Sequence, residues 1–292
     1  MTAGIASRQA RTGIVEGEFL LTNEDIRCLA AMLHADAGIS LSESKATLLY
    51  SRLARRLRAL GLTDFGQYCE LLSDREAREE RGRMLAALTT NVTRFFREPH
   101  HFEHLQSKVL PPLLAAARKG GRVRIWSAAC SNGQEPYTVA LTILALMPEA
   151  AKHDVRVLAT DIDPNMLAEG RAGQYSTEAL EPVPPAQRQR WFQPAGPGQW
   201  EVADDLKRLV TFREVNLIGN WPMRGPFDAI LCRNVMIYFA EDTQATVWNR
   251  FTPLLAPGGH LYIGHSERLN GPAADCFETV GITTYRRRAP RA

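Results

Sequence analysis

No apolar run in this 292-residue chain reaches the roughly 18–20 residues that a membrane-spanning helix needs, which excludes insertion by such a helix. Residues 1–20 lack a continuous apolar segment, so no secretory leader is expected. The five cysteines, at 28, 69, 130, 232 and 276, form no C-x-x-C pair. An odd, scattered set fits free thiols in a reducing cytoplasm rather than a disulfide framework. Excess charge is missing too. The net charge is +3, too slight for a strong phosphate footprint, so no nucleic acid partner is expected. Internal repeats and low-complexity runs are absent. What remains is a chain 45% apolar and 23% charged, enough for a sizeable core and long enough for about two domains.

The text changes character near residue 90. Residues 1–18 are polar and mixed and read as a tail. "LTNEDIRCLAAMLHADAGI" offers Thr22 or Asn23 as a helix cap and Gly38 as a stop. "SESKATLLYSRLARRLRALG" places Leu49, Leu53, Leu57 and Leu60 on one stripe and Arg52, Arg55, Arg56 and Arg58 around the other side, with Gly61 ending the helix. "TDFGQYCELL" and "RGRMLAALTT" supply two shorter helices, so residues 19–90 read as a small all-helical domain. Residues 91–105 connect it to the second half of the chain. From 106 to 292 strands and helices alternate: 123–128, 135–146, 155–160 and 164–172, then 209–217, 227–239 and a helix near 242–255. Such alternation means an α/β fold with a parallel sheet. Residues 173–212, with five prolines and three glycines, interrupt it and read as an inserted subdomain. "FETVGITTYRRR" reads as one final strand, and the closing "RRRAPRA" as a solvated tail.

Open α/β sheets bind ligands at the carboxyl ends of their strands. The first strand runs into "SAACSNGQEPY" (127–137), where small residues such as Ala129 and Gly133 let the backbone approach a ligand closely. The next strand ends in "LATDID", placing Asp161 where an acid accepts ribose hydroxyls. A third ends in "EVNL", placing Asn216 near an adenine edge. A dinucleotide is disfavoured, because G-x-G-x-x-G is absent and Glu135 at the helix start would repel a pyrophosphate. The same carboxylate suits an ammonium or a sulfonium, so the stretch resembles a site for S-adenosylmethionine. Taken alone, an ordinary βα turn with a solvated glutamate remains the competing reading.

Three long strings carry a resemblance: "ALTTNVTRFFREPHHF" (87–102), "WSAACSNGQEPY" (126–137) and "GPFDAILCRNVMIYF" (225–239). They resemble the CheR family of chemotaxis receptor methyltransferases, in order, and "SRLARRLRALGL" and "LLAPGGHLYIGHSE" agree. The resemblance covers about residues 21–286. It implies a Rossmann-like S-adenosylmethionine-dependent methyltransferase domain with an inserted small antiparallel β-subdomain, plus an N-terminal all-helical domain. It implies methyl transfer to glutamate side chains of membrane chemoreceptors, with S-adenosylhomocysteine as the product, in the cytoplasm at receptor arrays. Residue by residue, it implies that Asn91, Thr93 and Arg97 reach across the cofactor and active site. Glu135 would hold the ammonium, Asp161 the ribose, and Asn216 and Leu217 the adenine region. Arg233, Asn234 and Tyr238 would line the site near the sulfonium and the incoming carboxylate. Either Arg97 or Arg233 could grip that carboxylate.

The arginine helix has no acid between Lys45 and Gly61, so no i,i+4 partner neutralises it. With the resemblance, Arg52, Arg55, Arg56 and Arg58 are expected to dock on the acidic helical region of a receptor. The stretch 191–210 is short where some family members carry a glycine-rich turn for a receptor C-terminal peptide, so no such tether is expected, and a monomer is. His100 and His104 have metal-ligand spacing without an evident third ligand, so no metal is expected. His265 is assigned a structural role at a strand end. Two other classes compete. One is a non-catalytic protein that binds S-adenosylmethionine and regulates a signalling array. The other is a methyltransferase for a different substrate, from which nucleic acid is disfavoured because "CRNVMIYF" stands where a Pro-Pro-aromatic motif would be.

Overall fold

The structure, a computed structural model, describes residues 13–74 and 76–289. Residues 1–12 of the expected tail and the last three residues of the C-terminal run lie outside that range. The chain divides into two compact units between Thr89 and Thr90.

The first unit is helical: α1 Asn23–Ala37, α2 Ala46–Leu60, α3 Phe65–Ser73 and α4 Arg78–Leu88. Thr22 caps α1 in a reciprocal box. Its Oγ1 accepts from the Asp25 N–H at 3.2 Å, while Asp25 Oδ2 accepts from the Thr22 N–H at 2.9 Å, which satisfies donors a helix start leaves open. Gly38 and Gly61 end α1 and α2 in the left-handed region, φ 71° and 68°, where a Cβ would be strained. The core joins Leu29, Leu49, Leu53, Leu57, Phe65, Tyr68 and Met84. Leu60, expected on the buried stripe, is 36% exposed, because the stripe runs out one turn before the helix does.

The arginines of α2 differ from the expectation of unneutralised charge. Arg56 donates through Nε and Nη2 to both oxygens of buried Glu80, at 2.9 and 2.6 Å. Arg58 Nε meets Glu18 at 2.7 Å. Arg52 Nη1 donates to the carbonyls of Leu88 and Thr89, at 2.7 and 2.8 Å, the open end of α4. The i,i+4 rule sees only neighbours on one helix, and these partners come from other segments. Arg55 is exposed and forms no ion pair among the described residues.

The second unit opens with α5 Pro99–His104, a π-helical turn at Leu105–Val109 and α6 Leu110–Ala117. Next come β1 Val123–Ala128, α7 Gln134–Leu146, β2 Val155–Asp161, α8 Pro164–Ala172, β3 Gln174–Ser176, α9 Pro185–Trp191, β4 Phe192–Gly196, β5 Gln199–Val202, α10 Asp204–Leu209 and β6 Val210–Glu214. β7 Phe227–Cys232, α11 Glu241–Leu254, β8 Leu255–Ile263, β9 Phe277–Gly281 and β10 Thr284–Arg287 complete it. Among the described residues a seven-stranded sheet has the order β6-β2-β1-β7-β8-β10-β9. Its first five strands are parallel and β10 runs antiparallel to both neighbours. β1 and β7 are mostly apolar and almost wholly buried, as a sheet covered on both faces requires.

A separate antiparallel sheet, β3-β5-β4, lies within the expected insertion. It ends at Val202, and Val210–Glu214 pairs with β2 as the edge of the large sheet, so the stretch 173–212 ends in a strand of the main fold. The expected single closing strand is a hairpin, β9 and β10, turned at Ile282 and at Thr283, φ 47°. One alternating run had hidden that turn.

The registers carry the functional consequence. Ala128 pairs with Thr160 and with Cys232, Asp161 with Glu214, and Cys232 with Ile263. All five parallel strands therefore end along one edge, each followed by a loop that can hold chemistry.

Candidate active site

Those loops assemble a connected set of charges. Glu135 lies in the first turn of α7 and is buried. Its Oε1 accepts from Ser127 Oγ at 2.7 Å and its Oε2 from Arg233 Nη1 at 2.9 Å. Arg233 follows β7, with a side chain only 2% exposed. Its Nη2 lies 3.2 Å from Glu98 Oε2 and also donates to the Arg97 carbonyl. Glu98, at φ 57°, accepts from His265 Nδ1 at 2.9 Å and from Asn234 Nδ2 at 3.3 Å. One guanidinium thus lies between two carboxylates, a triad of formal charge −1. Burial opposes ionisation of Glu98, but Arg233 and the bonds from His265 and Asn234 outweigh it and hold its carboxyl down at about 2.

A second group surrounds the turn after β1. Ala129, Ser131 and Gly133 all have positive φ, at 61°, 51° and 91°. A Cβ on Gly133 would meet the Gly170 Cα and the Phe212 ring at 3.0 Å, so the turn needs glycine there on two counts. Asp161 accepts from the N–H groups of Ser131 and Asp163 at 2.8 and 2.9 Å. Burial nevertheless raises its pKa above the ordinary aspartate value. Asn91 Nδ2 donates to Asp163 Oδ2 at 3.0 Å, and its carbonyl accepts from Ser131 Oγ at 2.9 Å, which fastens the 91–98 segment to this loop.

Asn216 follows β6. Its Oδ1 accepts from the Ile218 N–H at 3.1 Å and its carbonyl from Trp221 Nε1 at 3.2 Å. Leu217 is buried and its carbonyl accepts from Arg250. Tyr238 sits half-buried in the 3₁₀ turn Met236–Tyr238, and its hydroxyl has no hydrogen-bond partner among the described residues. Thr93 is half-buried and makes no side-chain hydrogen bond among them. Arg97 is half-buried. Its Nη1 donates to the Val92 carbonyl at 2.9 Å and its other N–H groups are uncommitted among the described residues.

The structure therefore joins Arg97, Glu135, Arg233 and Asn234 in one network. It joins Asn91, Ala129, Gly133 and Asp161 in the adjoining loop, with Asn216 and Leu217 one strand further on. Arg52, Arg55, Arg56 and Arg58 belong to the helical unit. Glu98, Ser127, Ser131 and Glu267 escaped the sequence reading, although "REPHHF" and "GHSE" lay inside the strings that carried the resemblance. His265, read as structural, bonds Glu98 directly. Glu98, His100 and His101 present possible metal-ligating atoms within 4.8 Å of one another, a grouping different from His100 with His104. The Arg233 guanidinium beside Glu98 opposes a cation there.

The donor set fits a cationic nucleoside. A net negative triad faces no competing anion of the ligand when phosphates are absent. Asp161, already holding two N–H groups, keeps lone pairs for hydroxyls.

The sequence comparisons agree with this geometry. Residues 91–286 match the CheR methyltransferase, SAM binding domain, and residues 24–89 match the CheR methyltransferase, all-alpha domain. A probable chemotaxis protein methyltransferase of Rhizobium etli is 57% identical over 258 residues, 87% of this chain and 96% of that protein. The chemotaxis protein methyltransferase of Escherichia coli K12 is 43% identical, covering 86% of each chain. That of Salmonella typhimurium is 41% identical, covering 98% of each. S-adenosylmethionine is accordingly the cofactor of the α/β unit.

Proposed function

The chain belongs to the CheR methyltransferase family, and from that premise we propose that it methylates glutamate side chains of membrane chemoreceptors, in the cytoplasm and as a monomer. The cofactor supplies a methyl group on a sulfonium. Glu135, paired with Ser127 and Arg233, holds the ammonium of the cofactor. Asp161 holds the ribose hydroxyls. Asn216 and Leu217 flank the base, while Asn91, Thr93, Ala129, Gly133 and Asn234 shape the surrounding backbone.

The observation that carries the division of labour is the engagement of both Arg233 Nη groups within the protein. Both its Nη groups are committed to Glu135, Glu98 and the Arg97 carbonyl. Arg97 is then the arginine that grips one oxygen of the substrate carboxylate while the other attacks. The unpartnered Tyr238 hydroxyl orients the same group. A glutamate is ionised at neutral pH, so no general base is needed. Alignment and exclusion of water supply the acceleration. Docking falls to Arg55, the α2 arginine that is exposed and has no ion pair among the described residues, rather than equally to all four. The β4–β5 connection is only Pro197 and Gly198, which supports methylation without a receptor C-terminal peptide.

The test is transfer from radiolabelled S-adenosylmethionine to receptor-bearing membranes. Label released as methanol in mild alkali is expected, and should persist with receptors lacking their C-terminal peptide. Cofactor binding without receptor labelling would favour a regulator or another protein substrate. Absence of cofactor binding would overturn the assignment of Glu135.

A further inference from the structure

Glu267 is buried, 5% exposed, and no cation pairs with it among the described residues. Its partners are backbone N–H groups. Oε2 accepts from Asn234 at 3.0 Å and also from Gly264. Oε1 accepts from Val235 and from Met236, each at 2.8 Å. Three successive amides, 234–236, converge on one carboxylate because Asn234 takes a left-handed conformation, φ 59°. Consecutive N–H groups arranged in this way form a concave anion-binding nest, and here the anion is the protein's own side chain. Gly264 belongs to the device. A Cβ there would fall 2.5 Å from Asn234 Nδ2 and 2.7 Å from its N.

The nest lies in the loop that carries Arg233, Asn234 and Tyr238. Arg233 leads into it and Tyr238 leaves it two residues after Met236. Glu98 fixes the side chains of Arg233 and Asn234 from one side, whereas Glu267 fixes the backbone from the loop after β8. We propose that Glu267 is a positioning residue for methyl transfer, an internal anion whose occupation of the 234–236 nest sets the placement of Arg233 and Tyr238. The inference rests on the methyltransferase reading of the site, and the carboxylate itself touches neither cofactor nor substrate. Removal of the carboxylate leaves four amides, those of 234–236 and of Gly264, unpaired, and the loop relaxes to satisfy them.

The experiment compares the wild-type chain with Glu267→Ala and Glu267→Gln, following receptor methylation, S-adenosylhomocysteine affinity by calorimetry, and thermal melting. Wild-type turnover reports separately on the underlying reading. Glu267→Ala is expected to lower kcat about 100-fold, with KM for receptor within about threefold, in the range seen for loss of one preorganised group. Glu267→Gln, which keeps one acceptor oxygen, is expected to lose less, about tenfold. Formate enters the vacated nest, so added sodium formate should raise the kcat of Glu267→Ala several-fold over sodium chloride at equal ionic strength. It should leave Glu267→Gln unchanged, because the amide fills the space. Wild-type kcat in Glu267→Ala overturns the proposal. So does a kcat loss that formate does not restore and that tracks a fall in melting temperature. Should Glu267→Ala fail to fold, Glu267→Gln decides: kcat below a fifth of wild type at unchanged melting supports the assignment, and wild-type kcat removes it.

Discussion

Among the described residues two clusters of guanidinium and carboxylate stand in contrast, one half-buried and one buried, and they are built to opposite standards. In the helical unit Arg56 meets one carboxylate. Both Glu80 oxygens accept from it and the Tyr68 hydroxyl adds another donor at 3.0 Å. The charges cancel. In the α/β unit Arg233 meets two carboxylates, Glu98 and Glu135, and they do not. There Glu98 Oε2, His101 Nδ1 and Arg233 Nε lack an aligned hydrogen bond. A satisfied network specifies one packing. An unbalanced one keeps unmet capacity, which is what a site for a cationic ligand needs. The difference teaches that the same two functional groups serve architecture when their valences close and binding when they stay open.

Breaking the contrast begins with Arg97, which lends its carbonyl to Arg233 and keeps its guanidinium outside the cluster. Arg97→Ala should cut turnover about 10³-fold without shifting the melting temperature. Normal turnover would return the substrate carboxylate to Arg233. Arg56→Ala should behave oppositely, leaving Glu80 with the Tyr68 hydroxyl and Arg83 at 3.5 Å but without its two closest donors, at a cost of about 2 kcal/mol of stability, with S-adenosylhomocysteine affinity unchanged. A parallel loss of affinity in calorimetry would erase the distinction between the clusters. Glu135→Gln should weaken that affinity about 100-fold, roughly 2.7 kcal/mol, while the fold melts as before.

A smaller effect concerns acid. Burial, with Arg233 and His100 nearby, pushes His101 down to about 3, and burial beside His104 pushes His260 down to about 4. Both then bind fewer protons folded than unfolded as pH falls below about 6.5, so stability drops from there toward their folded values. Each contributes a slope of at most about 1.4 kcal/mol per pH unit. Denaturant titrations of His260→Gln across that range should be measurably flatter than those of the wild type. The smallest effect sharpens the helical side. Arg55→Glu should weaken receptor binding a few-fold, more at low salt, with cofactor binding unaltered. Salt-independent binding would remove Arg55 from the docking surface.

Much of the fold was legible because strands ending in small residues and helices ending in glycine announce themselves locally. The turn after β1, Gly133 and Asp161 were found for that reason. The pairing of Arg56 with Glu80, 24 residues apart, was not, because tertiary partners leave no periodic trace. Glu98 and Glu267 were missed for the same reason, each holding groups more than 30 residues away. The closing hairpin was read as one strand, since alternation runs through its two-residue turn and only the register exposes the reversal. Resemblance named the candidate cofactor residues, but the competition between Arg97 and Arg233 needed the bonds of Arg233 to favour one side.

The strand order has a consequence for synthesis. β1 is central, and its second neighbour, β7, arrives late: the Arg124 amide donates to Asp228, 104 residues further on. At about 5–20 residues per second, a nascent chain would carry β1 with one bare, apolar edge for roughly 5–20 s. An exposed strand edge of that kind invites pairing with other chains. This protein should therefore depend on shielding at the ribosome during that interval, and chains truncated before residue 227 should aggregate rather than wait.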